Sequence, residues 1–438
     1  MLTTPRSRLA ELFPQPPPQT RPRSLVIAIT AGGAALIALC ALLRQPGVAA
    51  TSSFWAEDGE ILYQAVIAHS FLAAVTTPYD GYLQLVPRLA IELTHLAGVA
   101  RASAIAALAG DLILAACSLT VFHAARGLLP SVFSRVLLVA AMVLLPLANG
   151  ELLNDIINTP WWLLFACFWV LLWRPRTRAG LAFAAAFCFL TAASTPVAAF
   201  YLPIVAARWV ALPRLREQAA AVGLITGLAL QLPAIITAPS GGSVYPHSTS
   251  HIASLFLLRV ATGSLAGVAG VNALVAHAST IGIVLGIVLL VATGGLVVVC
   301  RSLQVRLFAA AALYACVVLF AFELWYRGAG LWMNGEPAIY GGRYAAVPLL
   351  LLLSLLVMLA GRWASRGKLA LGTVLLAACL VPAWAIDFQT ANWRAAGPDW
   401  PADVAAARAQ CPSSGLGTIR IPTAPAGWSV LVPCALLR

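Results

Sequence analysis

Charge is scarce in this sequence. Asp, Glu, Lys and Arg make up 10% of its 438 residues and hydrophobic residues 61%, against about 25% and roughly 45–50% in soluble domains. So little polar surface excludes a chain that folds in water alone. Lysine is nearly missing, since Lys368 is the only one among 27 basic residues. With the excess of alanine, this points to a GC-rich bacterial genome. Also absent are a Gly-rich phosphate loop, a Cys-x-x-Cys pair and a Gly-x-Ser-x-Gly elbow, so cytoplasmic nucleotide chemistry has no motif to rest on. The net charge of +12 does not indicate nucleic acid. A nucleic-acid binder gathers its arginines on one surface with interleaved aromatics, whereas here they stand in small groups between apolar runs, so no nucleic-acid partner is expected.

Long apolar runs are what the sequence does have. The first, Leu25 to Leu43, is about twenty residues, enough to cross a bilayer and longer than the about 7–15 of a cleavable signal. It reads as an uncleaved signal anchor behind a disordered cytoplasmic Pro/Arg tail, residues 1–24. Further runs at 103–125, 134–149, 160–173, 179–194, 196–210, 218–237, 279–299, 306–324, 344–360 and 368–386 follow. Together they predict an all-α polytopic membrane protein with about eleven transmembrane helices over 25–386. Several are short for the hydrocarbon thickness and are expected to tuck against neighbours or leave water-filled space. Residues 252–276, with Arg259 midway, read as an outer, partly embedded helix.

Basic residues near helix ends resist translocation. With the N-terminus inside, seventeen of the 27 basic residues fall on the cytoplasmic side and most acidic residues outside. This makes 51–101 the first extracytoplasmic loop and 387–438 a short extracytoplasmic tail, in a multi-pass protein of the bacterial inner membrane surrounded by membrane lipids. Of nine cysteines, seven lie in apolar spans or, for Cys300, directly at the end of one. Cys411 and Cys434 stand in the tail, where an oxidising compartment would let them pair.

Acidic residues concentrate in the first outer loop. Glu57-Asp58-Gly59-Glu60 follows Phe54-Trp55 and precedes a helical pattern of Ile61, Leu62, Ala65 and Val66, which sets carboxylates at a helix N-terminus near the headgroups. These acids could serve the helix dipole alone or carry chemistry. Pro78-Tyr79-Asp80-Gly81-Tyr82 predicts a tight turn that delivers Arg88, either to a phosphate or to neighbouring carboxylates and lipid headgroups. Later outer segments have the same character: Glu151-Leu152-Leu153-Asn154-Asp155 leading to Asn158 and Trp161, and Asn334-Gly335-Glu336 leading to Gly341-Gly342-Arg343-Tyr344. Arg343 stands on the side that basic residues avoid, after two glycines that allow a ligand to approach closely. A phosphate-binding role is expected for it. Asp111, midway along a span, must face protein or water and is expected to hydrogen-bond across helices. His247 and His251 have the spacing of a helical zinc pair, but the Gly/Ser/Pro context argues for a loop and a third ligand is lacking.

Taken together, these residues resemble the GT-C superfamily, multi-pass glycosyltransferases that use polyprenyl-phosphate sugars outside the cytoplasm and carry an acidic pair in the first outer loop. Within it the chain looks like bacterial membrane proteins with a Trp-x-Glu-Asp-Gly motif, here Trp55 to Gly59. The companion motifs are Gly81-Tyr82, Pro87-Arg88, Asn158-x-x-Trp161, Gly342-Arg343-Tyr344, Gly427-Trp428 and Pro433-Cys434. The resemblance runs from about residue 50 to the C-terminus. It implies a GT-C-like membrane domain that transfers a sugar, with inversion, from a polyprenyl-phosphate donor to a glycan or lipid acceptor of the cell envelope. Asp58, assisted by Glu57, would be the general base. Arg343 and Arg88 would stabilise the leaving phosphate, with Tyr344, Tyr82, Glu60, Asn158 and Trp161 as further substrate contacts. A divalent cation, Mg or Mn, at Glu57 and Asp58 is compatible with this scheme but not required by it. The large soluble C-terminal domain of many relatives is absent.

The rival readings are a transporter or flippase, a lipid-linked glycan polymerase or ligase, and a purely structural membrane partner. A transporter is expected to show internal repeats and mid-membrane acids, whereas here repeats are not evident and the acids gather in a loop.

Overall fold

The computed structural model of the chain describes residues 5–18, 22–237, 248–327, 341–362, 371–411 and 417–438. The fold is mostly helical. Among the described residues, seven helices are long and apolar enough to cross a membrane: Ser24–Leu43, Val99–Gly127, Leu215–Thr237, Thr249–His277, Ser279–Val299, Leu303–Tyr326 and Gly342–Arg362. Five shorter apolar helices accompany them: Val132–Val143, Thr159–Leu172, Arg178–Ser194, Pro196–Ala211 and Leu371–Ile386. The chain is a polytopic, helical membrane protein.

A helix that is apolar all round must be buried in protein or lipid, and both cases occur here. The most apolar stretch of Gly342–Arg362 is 83% buried within the protein, whereas those of Ser24–Leu43 and Ser279–Val299 are 17% buried. The first is the central post; the other two turn most of their side chains outward. Without a hydrophobic drive between helices in lipid, close approach depends on small residues. The helices Arg178–Ser194 and Ala219–Thr237 meet in this way: a Cβ on Gly223 would lie 2.0 Å from the Ala185 carbonyl oxygen, and one on Gly227 would lie 2.5 Å from that of Phe189.

The helix Thr249–His277, expected as partly embedded, is long enough to cross but is not continuous. It contains a π-helical turn over Phe256–Thr262 and a break at Gly267, where φ is +68°. The amides that the break releases, Val268 and Ala269, donate to the two carboxylate oxygens of Asp387 at 2.7 and 3.0 Å.

Two segments differ from expectation. Residues 5–18 are not a free tail: a helix Pro5–Leu9 leads to Leu12 and Phe13, both buried in the main core. The buried pair anchors an otherwise polar, proline-rich segment to the core. The Arg208 guanidinium lies 5.6 Å from the Phe13 ring centre and donates to the carbonyls of Leu171 and Trp173 at the end of Thr159–Leu172. The tail, in turn, is not wholly helical. A helix Trp400–Gln410 precedes strands β1, Thr418–Thr423, and β2, Trp428–Pro433, paired antiparallel with Ile421 opposite Val430. Cys411 and Cys434 are joined in a disulfide, Cα–Cα 5.6 Å.

This tail packs on the acidic loop. Trp400 sits edge-on to Phe54 at 4.9 Å and to Tyr63 at 6.1 Å, in a second core with Ile421, Val430 and Val432. The Ala56 amide donates to the Ala424 carbonyl at 2.7 Å, and the Ala424 amide to that of Phe54 at 2.9 Å.

Phe13→Ala should cost about 3 kcal/mol, seen as a lower thermal midpoint in detergent micelles. An unchanged midpoint would show that the segment is not seated in the core.

Candidate functional site

The tail fixes Phe54 and Trp55, and the chain then enters a π-helical turn, Asp58–Tyr63. Adjacent side chains at the start of this turn diverge. Glu57 lines a cavity of about 650 Å³, together with Asp80, Glu323 and Arg343 and the rings of Tyr79, Tyr82, Trp161, Phe322, Tyr326 and Tyr344. Asp58 is 1% exposed and points the other way. Its two oxygens accept the Ile156 and Ile157 amides at 2.9 and 2.8 Å. Burial pushes the Asp58 carboxyl up to about 7, opposed by those two amides and by the nearby charge of Arg394.

Arg343 occupies the first turn of Gly342–Arg362. A side chain at Gly342 would meet the Leu147 carbonyl oxygen at 2.8 Å, so the glycine sets how close the arginine comes to the 145–158 segment. The guanidinium lies between two carboxylates, Nη1 3.6 Å from Glu57 Oε1 and Nε 3.4 Å from Glu151 Oε2. It also lies 5.1 Å from the ring centre of Tyr344, which meets Trp161 edge-on at 5.8 Å. Glu151 accepts the Gly341 amide at 3.2 Å; burial raises its carboxyl, and the charge of Arg343 pulls it back. Tyr79 and Tyr82 enter the cavity on a turn whose central residues, Asp80 and Gly81, have φ of +56° and +84°, the conformation for which Asp-Gly is suited. Gln84, also on the cavity wall, donates from Nε2 to the Tyr82 hydroxyl at 3.2 Å.

The expected site residues therefore separate. Glu57, Tyr82, Asn158, Trp161, Arg343 and Tyr344 line one cavity. Asp58, expected as the general base, does not; its neighbour Glu57 faces the open space. Glu60 turns to the tail, where its Oε2 accepts the Ser429 amide at 2.9 Å. Arg88 is 2% exposed and donates to the Ala74 carbonyl at 2.7 Å, which keeps it off the cavity wall. Burial lowers its guanidinium to about 10. The pair Glu57 and Asp58 does not fit a shared divalent cation: Asp58 has both oxygens on backbone amides and Glu57 faces a guanidinium. Among the described residues no cluster of three or more His, Cys, Asp or Glu is placed to hold a metal ion. His247 and Asn334-Gly335-Glu336 lie outside the described residues.

Arg394 was not singled out by sequence reasoning. It is 2% exposed and donates to the carbonyls of Leu153 and Asn154 at 2.8 and 2.9 Å, and to the carbonyl and hydroxyl of Ser53, both at 3.3 Å. Asp111, 1% exposed, accepts the Asn154 amide at 3.1 Å, the contact to protein that its mid-span position demanded. A lone arginine beside Trp393, in the segment assigned to the acidic side, was the only signal for Arg394.

The sequence matches no protein-family model, and comparison with curated proteins and with solved structures gives no match. Any reading of function therefore rests on the residues and their geometry.

The buried acids make stability depend on pH. A carboxyl whose pKa is raised by folding holds its proton more tightly in the folded state. Its stabilising contribution is therefore greatest below the unfolded value, about 4, and is lost as pH rises through the folded one. For Asp58 that window runs up to about 7, and Asp155 is shifted in the same direction by burial and by Asp58 itself. The thermal midpoint in detergent should be higher at pH 5 than at pH 8, with the slope shallower in Asp58→Asn. An equal slope in both proteins would remove Asp58 from this linkage.

Proposed function

We propose that the chain is a GT-C-like membrane glycosyltransferase that moves a sugar from a polyprenyl-phosphate donor to a glycan or lipid acceptor of the cell envelope. The observation that carries this reading is one carboxylate, Glu57, facing one guanidinium, Arg343, in an aromatic-rimmed cavity that adjoins a lipid-like groove. That groove has about 670 Å³ and is walled by Phe200, Ile252, Phe256, Val317 and Trp325; Phe322 lines both spaces. An apolar chain suits the groove and a charged, hydroxylated head suits the cavity.

In this mechanism Glu57 accepts the proton of the acceptor hydroxyl as its oxygen attacks the anomeric carbon. The bond to the lipid phosphate breaks with inversion, and Arg343 stabilises the charge that grows on the departing phosphate. Before donor binds, Arg343 is shared by Glu57 and Glu151. An arriving phosphate competes for the guanidinium and frees the Glu57 carboxylate to act as base. Asp58 holds the 151–158 segment beside the reacting groups.

The same reading orients the chain with the N-terminus in the cytoplasm of a bacterial cell and the cavity and tail outside it. Charge asymmetry supports this, as does the Cys411–Cys434 disulfide, which suits an oxidising compartment. With the broken helix Thr249–His277 kept as only partly embedded, the other six long helices and the five shorter ones make eleven crossings.

Transfer from polyprenyl-phosphate hexoses in proteoliposomes tests the proposal. Glu57→Gln should lower turnover by roughly 10²–10⁴-fold with donor KM within about twofold, and Arg343→Ala should raise donor KM. Asp58→Asn should lose roughly 10²-fold by misplacing the loop. Full turnover in Glu57→Gln would end the base assignment, and substrate crossing the bilayer without sugar transfer would favour a transporter.

A further inference from the structure

The tail supplies a guanidinium to the back of the cavity wall without reaching the cavity. Arg394 is not among the residues that line the cavity, yet it is buried against the segment that carries two of them. Residues 151–158 are gripped from several sides. Asp111 accepts the Asn154 amide, Asp58 accepts those of Ile156 and Ile157, and Arg394 takes the carbonyls of Leu153 and Asn154. Within the segment, Asn158 Nδ2 donates to the Glu151 carbonyl at 2.5 Å, and Asp155 accepts the Asn158 amide at 3.2 Å. The ends of this segment face the proposed chemistry: Glu151 meets Arg343, and Asn158 lines the cavity.

Three buried acids behind the wall share one guanidinium. Asp58, Asp155 and Asp111 all act on Arg394, and Glu57 adds to the field at Asp58. Buried carboxylates left without a cation are costly. The tail is also anchored for this purpose: Trp393 stacks on Trp55 at 6.0 Å, and Asn392 Nδ2 donates to the Asn149 carbonyl at 2.8 Å.

We propose that Arg394 is a positioning residue of the cavity, holding residues 151–158 so that Glu151 and Glu57 meet Arg343, and that the tail is in this way a working part of the site. The consequence for the reaction rests on the glycosyltransferase reading; the grip on the loop does not.

The test combines hydrogen exchange and kinetics on the full chain in nanodiscs, comparing wild type, Arg394→Gln and Arg394→Lys. In Arg394→Gln the amides of 151–158 should exchange at least about tenfold faster while those of Gly342–Arg362 keep their wild-type rates. Arg394→Lys, which keeps the charge but loses the fork of donors, should fall between. With undecaprenyl-phosphate hexose as donor, turnover should fall in the same order with donor KM within twofold. Wild-type exchange at 151–158 in Arg394→Gln overturns the proposal, and so does faster exchange with unchanged turnover. If Arg394→Gln loosens the whole protein, Arg394→Lys decides: a local rise at 151–158 supports the proposal and wild-type rates overturn it. If wild type transfers no sugar from this donor, the glycosyltransferase reading fails, while the exchange rates still decide whether Arg394 holds the loop.

Discussion

Two backbone amides on one buried carboxylate hold the candidate site together. Asp58 accepts Ile156 and Ile157, and this contact joins the first loop to the segment before the Thr159–Leu172 helix. Ionised acceptors make stronger hydrogen bonds than neutral ones, but burying the charge costs more than the bonds return unless a cation is near. Arg394 supplies that cation from the far end of the sequence. The cavity, its guanidinium and the tail all depend on this arrangement of burial, amide and charge.

Polar groups inside such a chain are expensive, and their use here is consistent. Arg44 caps the carbonyls of Val143 and Leu145, Arg208 those of Leu171 and Trp173, and Arg394 those of Leu153 and Asn154. Asp387 and Asp58 do the converse for backbone amides. Arg343 differs. It faces two carboxylates at 3.4 and 3.6 Å beside an open cavity, where the proposed donor phosphate would compete for it.

Much of the fold was legible because hydropathy accumulates along a helix. Among the described residues most apolar runs coincide with helices, since neighbouring side chains need no knowledge of the rest of the chain, but the run 134–149 does not form one helix: it breaks after Val143. The segment 5–18 was misread as free because a single Leu12-Phe13 pair is a weak signal until the pocket that receives it is known. The tail was legible as a disulfide-bearing segment, but its role at the acidic loop was not, because the partners of Trp400 and Arg394 lie hundreds of positions earlier.

By itself, the sequence determined that this is a helical membrane protein, that its acids gather before the second long helix, and that Arg343 stands near a glycine-rich approach. These follow from local composition and spacing. Only the tertiary structure decided which of two adjacent carboxylates faces the cavity. Successive residues on a helix point about 100° apart, so the motif Trp55 to Gly59 reads the same whichever of Glu57 and Asp58 looks inward. The choice was made by the Ile156 and Ile157 amides, which wait on one side of the turn, and by Arg343, which waits on the other.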